Sequence, residues 1–363
     1  MSLIRILCIV MLACGLMSPL TAPAQPAGAK GDDFLYRVVR GDTLGELAQR
    51  YTLESSNWRA LQQLNAVEDP YRLQIARLLR IPFSMIPLRE SSAQVLHAVG
   101  QVSVDGGALH AASSVSEGQA VETGENGFVS LQLTDGSVVS VPPSTHLVIS
   151  RLREFVGAGL TDSIIEMEAG SVETQVAPNQ TGVGRFEVRT PVSVTGVRGT
   201  RMRVHAAAGG SRSEVVSGMA GVDGTVAPEL VLRERQGVAI DPAGQSLGVR
   251  SLLPAPELSV PSRGPGGWSI DFEPLAGAAA YVVSVARDSN GGQLVSQRTI
   301  DSPPAQFAAS GPGTHYVFVR GVDEAGIGGM DASAAFEGAY VLLDRSSNPI
   351  SSAAGGLVIV ADY

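Results

Sequence analysis

The side chains that could act as nucleophiles, bases or metal ligands are few and scattered. Five histidines stand at 97, 110, 146, 205 and 315. None falls in an H-E-x-x-H or other short metal-ligating pattern, and each reads as a surface or turn residue. The two cysteines, Cys8 and Cys14, both lie in an apolar leader. Gly244-Gln245-Ser246-Leu247-Gly248 matches G-x-S-x-G. A nucleophile elbow needs a strand before the motif and a helix after it, and here Pro254 and Pro256 follow. Lys30 is the only lysine and has no serine three residues before it, which excludes Ser-x-x-Lys chemistry. Gly196 and Gly199 follow one strand pattern and open another, so they make no phosphate loop. Asn179-Gln180-Thr181 is a glycosylation triplet by pattern only. The expectation is a protein with no catalytic residue, no metal site and no cofactor, and so not an enzyme.

Recognition is the chemistry that remains, and the stretch from Tyr36 to Pro82 is the place to look for it. Tyr36-Arg37-Val38-Val39 opens as a strand, and Gly41-Asp42 breaks it. Thr43 with Glu46 three residues on forms a capping box, which satisfies free N–H groups at a helix start. Leu44, Leu47, Ala48 and Tyr51 then share one helical face. Ser55, Ser56 or Asn57 can cap a second helix with Trp58, Leu61 and Leu64 on its buried side. Asn65 suits the left-handed position that ends it. Arg77 to Ile81 is a short second strand, closed by Pro82.

That order resembles the LysM module, a small βααβ domain. The matching residues are Tyr36, Gly41-Asp42-Thr43-Leu44, Ala48, Tyr51, Leu64-Asn65 and Leu79-Arg80-Ile81-Pro82. The resemblance implies recognition of N-acetylglucosamine-containing glycans such as peptidoglycan in a shallow groove. Gly41, Asp42, Thr43 and Leu44 would make one wall, and Leu73, Gln74 and Ile75 the other. Many family members carry Leu-Gln-Pro-Gly-Gln before the last strand. Here the slots hold Leu73-Gln74-Ile75-Ala76-Arg77, so the residue that tolerates φ > 0 without strain is missing. That loss predicts a reshaped second wall. A LysM-like fold kept only as a spacer is the alternative.

The rest of the chain sets the context. It has 363 residues, 44% hydrophobic and 17% charged, with 42 glycines and a net charge of −9. This is a globular, β-leaning, multidomain composition that disfavours nucleic acid and anionic lipid as general partners. Arg5 followed by the apolar run Ile6–Met17, with Ala22-Pro23-Ala24 before Gln25, reads as a cleaved signal peptide. A lipoprotein acylated at Cys14 is the less favoured reading. The run is shorter than the ~20 residues of a membrane span, and no later segment is long and apolar enough to cross. A thiol-free mature protein in the periplasm or cell envelope follows.

From about Gln94 to Gly248 strand patterns succeed one another, punctuated by turns such as Asp105-Gly106 and Asp135-Gly136. Asp-Gly between alternating runs reads as a hairpin in which both turn residues take φ > 0. The segment resembles the FecR domain through Val121-Glu122-Thr123-Gly124-Glu125-Asn126-Gly127, Leu133-Thr134-Asp135-Gly136-Ser137, Glu168-Ala169-Gly170-Ser171-Val172 and the run Phe186–Thr200. The resemblance implies an all-β roll, sandwich or solenoid in the envelope. It does not carry over the family's transcriptional circuit, whose inner-membrane helix and cytoplasmic part have no counterpart in this sequence. The arginines at 185, 189, 198, 201 and 203 form a local basic cluster. It reads as a solvated strand face or as a docking surface for an acidic partner or anionic glycan.

After a Pro/Gly-rich connector, Trp268–Leu275, Tyr281–Val285 and Gly313–Asp323 resemble a fibronectin type III or related immunoglobulin-like β-sandwich. Phe272 stands in the core tryptophan slot, and Tyr316 is the candidate late-strand tyrosine. Gly356–Val360 is one more strand without an evident partner. The expected order is signal peptide 1–24, flexible lead 25–35, LysM-like module 36–82, linker 83–93, FecR-like domain 94–248, linker 249–267 and sandwich with tail 268–363. The function expected is non-enzymatic: peptidoglycan binding through the LysM-like module, with β domains that present surfaces to an envelope protein. The alternative is a periplasmic sensor or regulatory partner that works through its FecR-like domain.

Overall fold

The computed structural model describes residues 26–109, 113–156, 160–177, 183–197, 199–226, 229–264, 267–308, 311–341, 350 and 359–360. The expected signal peptide, Cys8, Cys14, His110, Arg198 and the Asn179 triplet lie outside these residues. The fold is mainly β, with a small α/β unit first and extensive sheets after it.

The first unit holds strands β1 (Pro26–Lys30), β2 (Asp33–Arg37) and β3 (Leu78–Pro82), with helices α1 (Leu44–Thr52) and α2 (Trp58–Asn65) between β2 and β3. The sheet order is β1-β2-β3. Two expectations change here. The lead expected to be flexible supplies β1, which turns back at Gly31-Asp32 and pairs antiparallel with β2. That hairpin starts the second strand at Asp33, three residues before the expected Tyr36. Phe34 and Tyr36 from β2, Leu44, Leu47 and Tyr51 from α1, Leu61 from α2 and Leu79 and Ile81 from β3 close the core. Leu64, expected inside, is exposed, and Val67 is buried in its place.

The body spans Leu88–Ser251 in two layers. One layer runs from Val102–Val104 through Ala120–Thr123, Thr145–Phe155 and the first half of Leu160–Gln175. It continues through Val183–Arg189, Ser193–Val197 and Met219–Gly224 to Leu230–Arg233. The other runs from Ser92–Val99 through Phe128–Gln132, Val138–Val141 and the second half of Leu160–Gln175. It continues through Arg201–Ala207, Gly210–Ser217 and Gln236–Ile240 to Ser246–Ser251. Leu160–Gln175 belongs to both layers. It passes between them at Gly170, where φ is +99° and a Cβ would lie 2.4 Å from Thr145 Oγ1, so glycine is required at this bend. Val121, Leu147, Ile149, Val188 and Val222 from one layer meet Val129, Leu131, Val139, Val172 and Val204 from the other in one core. Of the three architectures expected, the sandwich is the one formed.

The two Asp-Gly turns differ. At Asp105-Gly106 both residues take positive φ, 49° and 76°, as a two-residue primed turn requires. At Asp135-Gly136 only Gly136 does, at 83°. The loop is one residue longer, with Gly136 N–H donating to Leu133 C=O at 3.0 Å and Leu133 N–H to Ser137 C=O at 2.8 Å.

The carboxy-terminal unit packs a three-stranded sheet (Ser262–Gly264, Gly267–Ile270, Ala305–Phe307) against a four-stranded one (Leu294–Ile300, Ala278–Ala286, Gly313–Asp323, Ala332–Gly338). Trp268, Phe272, Tyr281, Val283, Phe307, Val317 and Phe336 fill the space between. Trp268 therefore sits in the core beside Phe272. Tyr316 is half-buried, and the tyrosine hydroxyl that binds backbone is Tyr281, which accepts Leu275 N–H at 2.7 Å. The tail strand finds its partner: Ile359–Val360 pairs antiparallel with Tyr340–Val341. Its expected first residues, Gly356 to Val358, lie outside the described ones.

Neither connector is a free linker. Phe83 and Ile86 are buried in the first unit's core together with Phe155 and Leu160 of the body, and Leu88–Glu90 pairs with Thr145–Phe155. Ser246–Ser251 is a body strand, and Leu252 is buried against Ala239 and Ile327. Phe83 and Ile86, between Pro82 and Pro87, and Leu252, just before Pro254, are what fasten the joints, while Val260 further along the second connector is exposed. No helix among the described residues is long and apolar enough to cross a membrane.

Candidate functional site

The turn after β2 is built around one carboxylate. Asp42 Oδ2 accepts Val39 N–H and the Tyr36 hydroxyl, both at 2.8 Å. Burial first, and then the hydrogen bond to Asp42, push the Tyr36 phenol above its ordinary range, which keeps it a donor. Gly41 takes φ of +95°. Thr43 then caps α1: Glu46 N–H donates to Thr43 Oγ1 at 3.2 Å, and Thr43 Oγ1 donates to Glu46 Oε2 at 3.0 Å. Thr43 therefore makes its half of the expected box, while Glu46 takes the Thr43 hydroxyl and not its N–H.

The second loop is fastened to this turn at two points. Leu44 N–H donates to Pro70 C=O, and Ala76 N–H to Val38 C=O, each at 2.9 Å. Between them lie Leu73, half-buried against the core, and the exposed Gln74 and Ile75. The structure thus brings Gly41, Asp42 and Thr43 alongside Leu73, Gln74 and Ile75. Leu44 is the exception. Its side chain is fully buried and its N–H is already engaged, so it supports the wall from inside and offers no contact to a ligand.

The departure at Ile75-Ala76 leaves the turn intact. Arg77 N–H donates to Gln74 C=O at 3.1 Å, and Ala76 takes φ of +68°. This is a four-residue turn with its third residue left-handed, the position that favours glycine. The pairs Ala76–Val38 and Val38–Arg77 hold the backbone of this turn in place. The strain is carried there, at about 1 kcal/mol for a left-handed non-glycine residue. Ala76→Gly should therefore raise stability by ~0.5–1 kcal/mol, after allowance for the looser unfolded chain. A urea unfolding midpoint that stays equal or falls would refute this.

Tyr71 was not picked out from the sequence, and Asn65 takes a different role from the one expected. Tyr71 is 77% exposed and follows Pro70, whose carbonyl is bound at the helix start. Asp69 Oδ1 holds its N–H at 2.9 Å. The signal was Asp-Pro followed by an aromatic at a loop tip. Asn65 does not take the left-handed position, which falls to Ala66 at φ of +47°. Its side chain instead completes the free edge of β3, donating to Arg80 C=O at 2.9 Å and accepting Arg80 N–H at 2.7 Å.

The arginine cluster is not a free surface. Arg185 is buried, donates to both oxygens of Asp162 at 2.5 and 2.7 Å, and reaches Gly31 C=O in the β1–β2 turn at 2.6 Å. Arg189 pairs with Glu187 at 2.7 Å. Arg201 pairs with Glu173 at 2.6 Å. Arg203 is 1% exposed and lies 3.1 Å from Glu214, which is fully buried. Arg203 also donates to Gly329 C=O at 2.7 Å, and Gly328 N–H donates to Glu214 at 2.6 Å. The surface that Arg201 and Arg203 form is thus occupied by the chain's own carboxy-terminal sandwich.

The histidines are also accounted for individually. His97 Nε2 donates to Leu294 C=O across the same interface at 2.9 Å. His146 lies 2.9 Å from Glu168, and His205 lies 3.4 Å from Glu214. His315, expected at the surface, is buried beside Phe336. The Gly244–Gly248 motif lies in a turn that leads into the strand Ser246–Ser251, with no helix behind it.

Comparison with known proteins identifies two stretches. The family model for the LysM domain matches residues 36–82, and that described as FecR protein matches residues 119–221. No curated protein matches the chain. Two crystal structures of a candidate anti-sigma factor from Parabacteroides distasonis are similar in part. Each is 20% identical and covers 36% of this chain, with TM-scores of 0.31 and 0.30. The chain spans 59% of the length of those structures. LysM and FecR domains are therefore present at the two places whose residue patterns resembled them, the first being the α/β unit and the second the centre of the two-layered body.

Proposed function

We propose that this is an exported, non-enzymatic cell-envelope protein that binds peptidoglycan through its LysM domain and presents its β domains to another envelope protein. The carboxy-terminal sandwich, read as fibronectin type III-like, would be a structural part of that display. The observation that carries the reading is the pair of fastened loops in the LysM unit. Gly41 and Thr43 on one side and Gln74 and Ile75 on the other offer peptide groups, a side-chain amide and an apolar face. That combination suits the acetamido groups, hydroxyls and C–H faces of an amino sugar. Ile75 is 56% exposed, and Tyr71 stands exposed nearby. Apolar side chains left in water beside a fixed polar turn suit a ligand with both kinds of surface.

The test is co-sedimentation with purified insoluble peptidoglycan. Deleting residues 36–82 would expose the core that Phe83, Phe155 and Leu160 share with the first unit, so surface changes are cleaner. Tyr71→Ala with Ile75→Asp should lower retention about tenfold, equivalent to ~1.4 kcal/mol, with unfolding unchanged. Retention equal to that of the parent would overturn the reading.

The FecR match favours a second reading, a regulatory partner in the periplasm with the LysM domain as tether. It requires a defined protein partner recovered by crosslinking in cells. Because Arg203 is covered by the chain itself, such a partner would bind elsewhere on the body or displace the sandwich.

A further inference from the structure

We infer that the cleft between the body and the carboxy-terminal sandwich is a binding site for an uncharged, polyhydroxylated ligand of about one sugar ring. A cavity of 320 Å³ lies there, with walls from both units. That volume is at the lower end of small-molecule sites, roughly 300–1,000 Å³, which favour domain interfaces.

The charges in the cleft decide the ligand class. Arg201 and Arg320 face Glu173 and Asp331, and the four cancel. Arg201 Nε and Nη2 both donate to one oxygen of Glu173, and Arg320 Nη1 donates to one oxygen of Asp331 at 3.1 Å. A fifth charge, Asp288, is engaged by its own loop, accepting Gly292 N–H at 3.1 Å and Gln293 N–H at 2.6 Å. No cation is left to pair with an anionic ligand, and Asp288, the one carboxylate here without an arginine, has each oxygen already taken by an N–H of its own loop, so an ion brought in would be desolvated with little compensation. Hydrogen-bonding capacity does remain, because a guanidinium has five N–H groups and a carboxylate about four lone pairs. Hydroxyl groups, which donate and accept, match that mixture.

The other walls fit the same class. Ser140 on the body side and Asn290 and Gln293 on the sandwich side line the cavity with neutral polar groups. Leu96, 52% exposed, and Phe318 line it with apolar surface, which suits the C–H faces of a sugar ring. The loop that carries Asn290 and Gln293 is fixed before any ligand arrives, by Asp288 and by Gln293 C=O accepting Arg287 N–H at 3.0 Å. Little ordering entropy would be lost on binding.

The inference is separate from glycan binding by the LysM domain, and the test keeps them apart. Thermal unfolding of the full chain is followed with D-glucose, D-galactose and N-acetyl-D-glucosamine, and with D-glucuronate and D-glucosamine as charged controls. At least one neutral sugar should raise the midpoint saturably. Ser140→Leu, which fills the cavity, and the exposed-loop double variant Asn290→Ala/Gln293→Ala should each weaken that response at least tenfold while melting like the parent. A response that persists in both variants only with N-acetyl-D-glucosamine belongs to the LysM groove, and the absence of any neutral-sugar response that the variants weaken would overturn a role for the cleft. No saturable response to any neutral sugar, or a stronger one to either charged control, would overturn the inference as well.

Discussion

Arg203→Met should destabilise the contact between body and sandwich by ~3–5 kcal/mol, the usual loss when one partner of a buried ion pair is removed. Glu214 would remain fully buried with its charge, supported by Gly328 N–H, by His205 and by the charge of Arg320. Arg203→Met combined with Glu214→Gln should recover most of the loss, because the glutamine carbonyl can still accept Gly328 N–H without a charge to bury. The measurement is the first transition in urea unfolding, together with protease susceptibility of residues 252–261. A single variant within ~1 kcal/mol of the parent would show that water reaches the pair and screens it.

The same contact should loosen in acid. Burial alone would raise the Glu214 carboxyl. The charges of Arg203, His205 and Arg320 and the hydrogen bond from His205 outweigh it and bring the carboxyl down to about 2, from 4.5. Burial likewise opposes, and Arg203, Arg320 and Arg201 lead, a lowered value at Asp331. A carboxyl with a depressed folded value contributes stability above its unfolded value, and that stability is lost as pH falls through the folded one. For Glu214 the window runs from 4.5 towards about 2, and the contribution is on the order of 3 kcal/mol. Unfolding monitored from pH 7 downwards should show the interface fail first, and Glu214→Gln should flatten that dependence. An interface equally firm at pH 3 and pH 7 would contradict it.

The parts that could be read from the sequence are those whose partners are near in the chain. Thr43 and Glu46 are three residues apart, and the face Leu44, Leu47, Ala48 and Tyr51 spans two helical turns. Both follow from local geometry, and both are formed. Ala76 shows the limit of the same reasoning. The missing glycine is visible in the sequence, but the backbone pairs with Val38 that hold Ala76 left-handed are not, because such pairing depends on the strand register and not on residue type. The arginines show a second limit. Their spacing marked a strand face with a use, but the occupant of that face lies more than a hundred residues on: Arg203 and Gly329 are 126 apart, and Glu214 and Gly328 are 114 apart. Composition cannot report a contact at that separation. The connectors were misread for the same reason, since Phe83 and Leu252 are buried by surfaces from other units. Within the candidate site, Leu44 matched the family pattern by position and is buried, because the pattern carries the core of the module as well as its groove.

The LysM domain's seat on the body rests on Arg185, and its loss should be the other large effect. Arg185 is enclosed on every side. Asp162, equally buried, takes two of its donors. The guanidinium stacks over the Phe83 ring at 4.8 Å, and Phe83 in turn stacks on Phe155 with centroids 4.8 Å apart. A third N–H, on Nη1, reaches Gly31 C=O, so one side chain joins the β1–β2 turn, the connector and the body. Arg185→Met keeps the apolar contact with Phe83 but strands the Asp162 charge, with Arg151 at 3.5 Å as its remaining partner. The expected loss is again ~3–5 kcal/mol, and Arg185→Met with Asp162→Leu should recover most of it. The consequence for function separates seat from groove. Arg185 contributes nothing to the loops at Gly41–Thr43 and Leu73–Ile75, so peptidoglycan retention by the variant should equal that of the parent below its unfolding transition. Amide exchange should instead rise at Phe83 and Ile86, whose N–H groups bond Asp32 C=O and Phe83 C=O in the docked arrangement. Unchanged exchange at those two residues would mean that the apolar stack alone fixes the domain. Retention that falls in step with exchange would mean that a fixed seat is part of how the protein holds the wall.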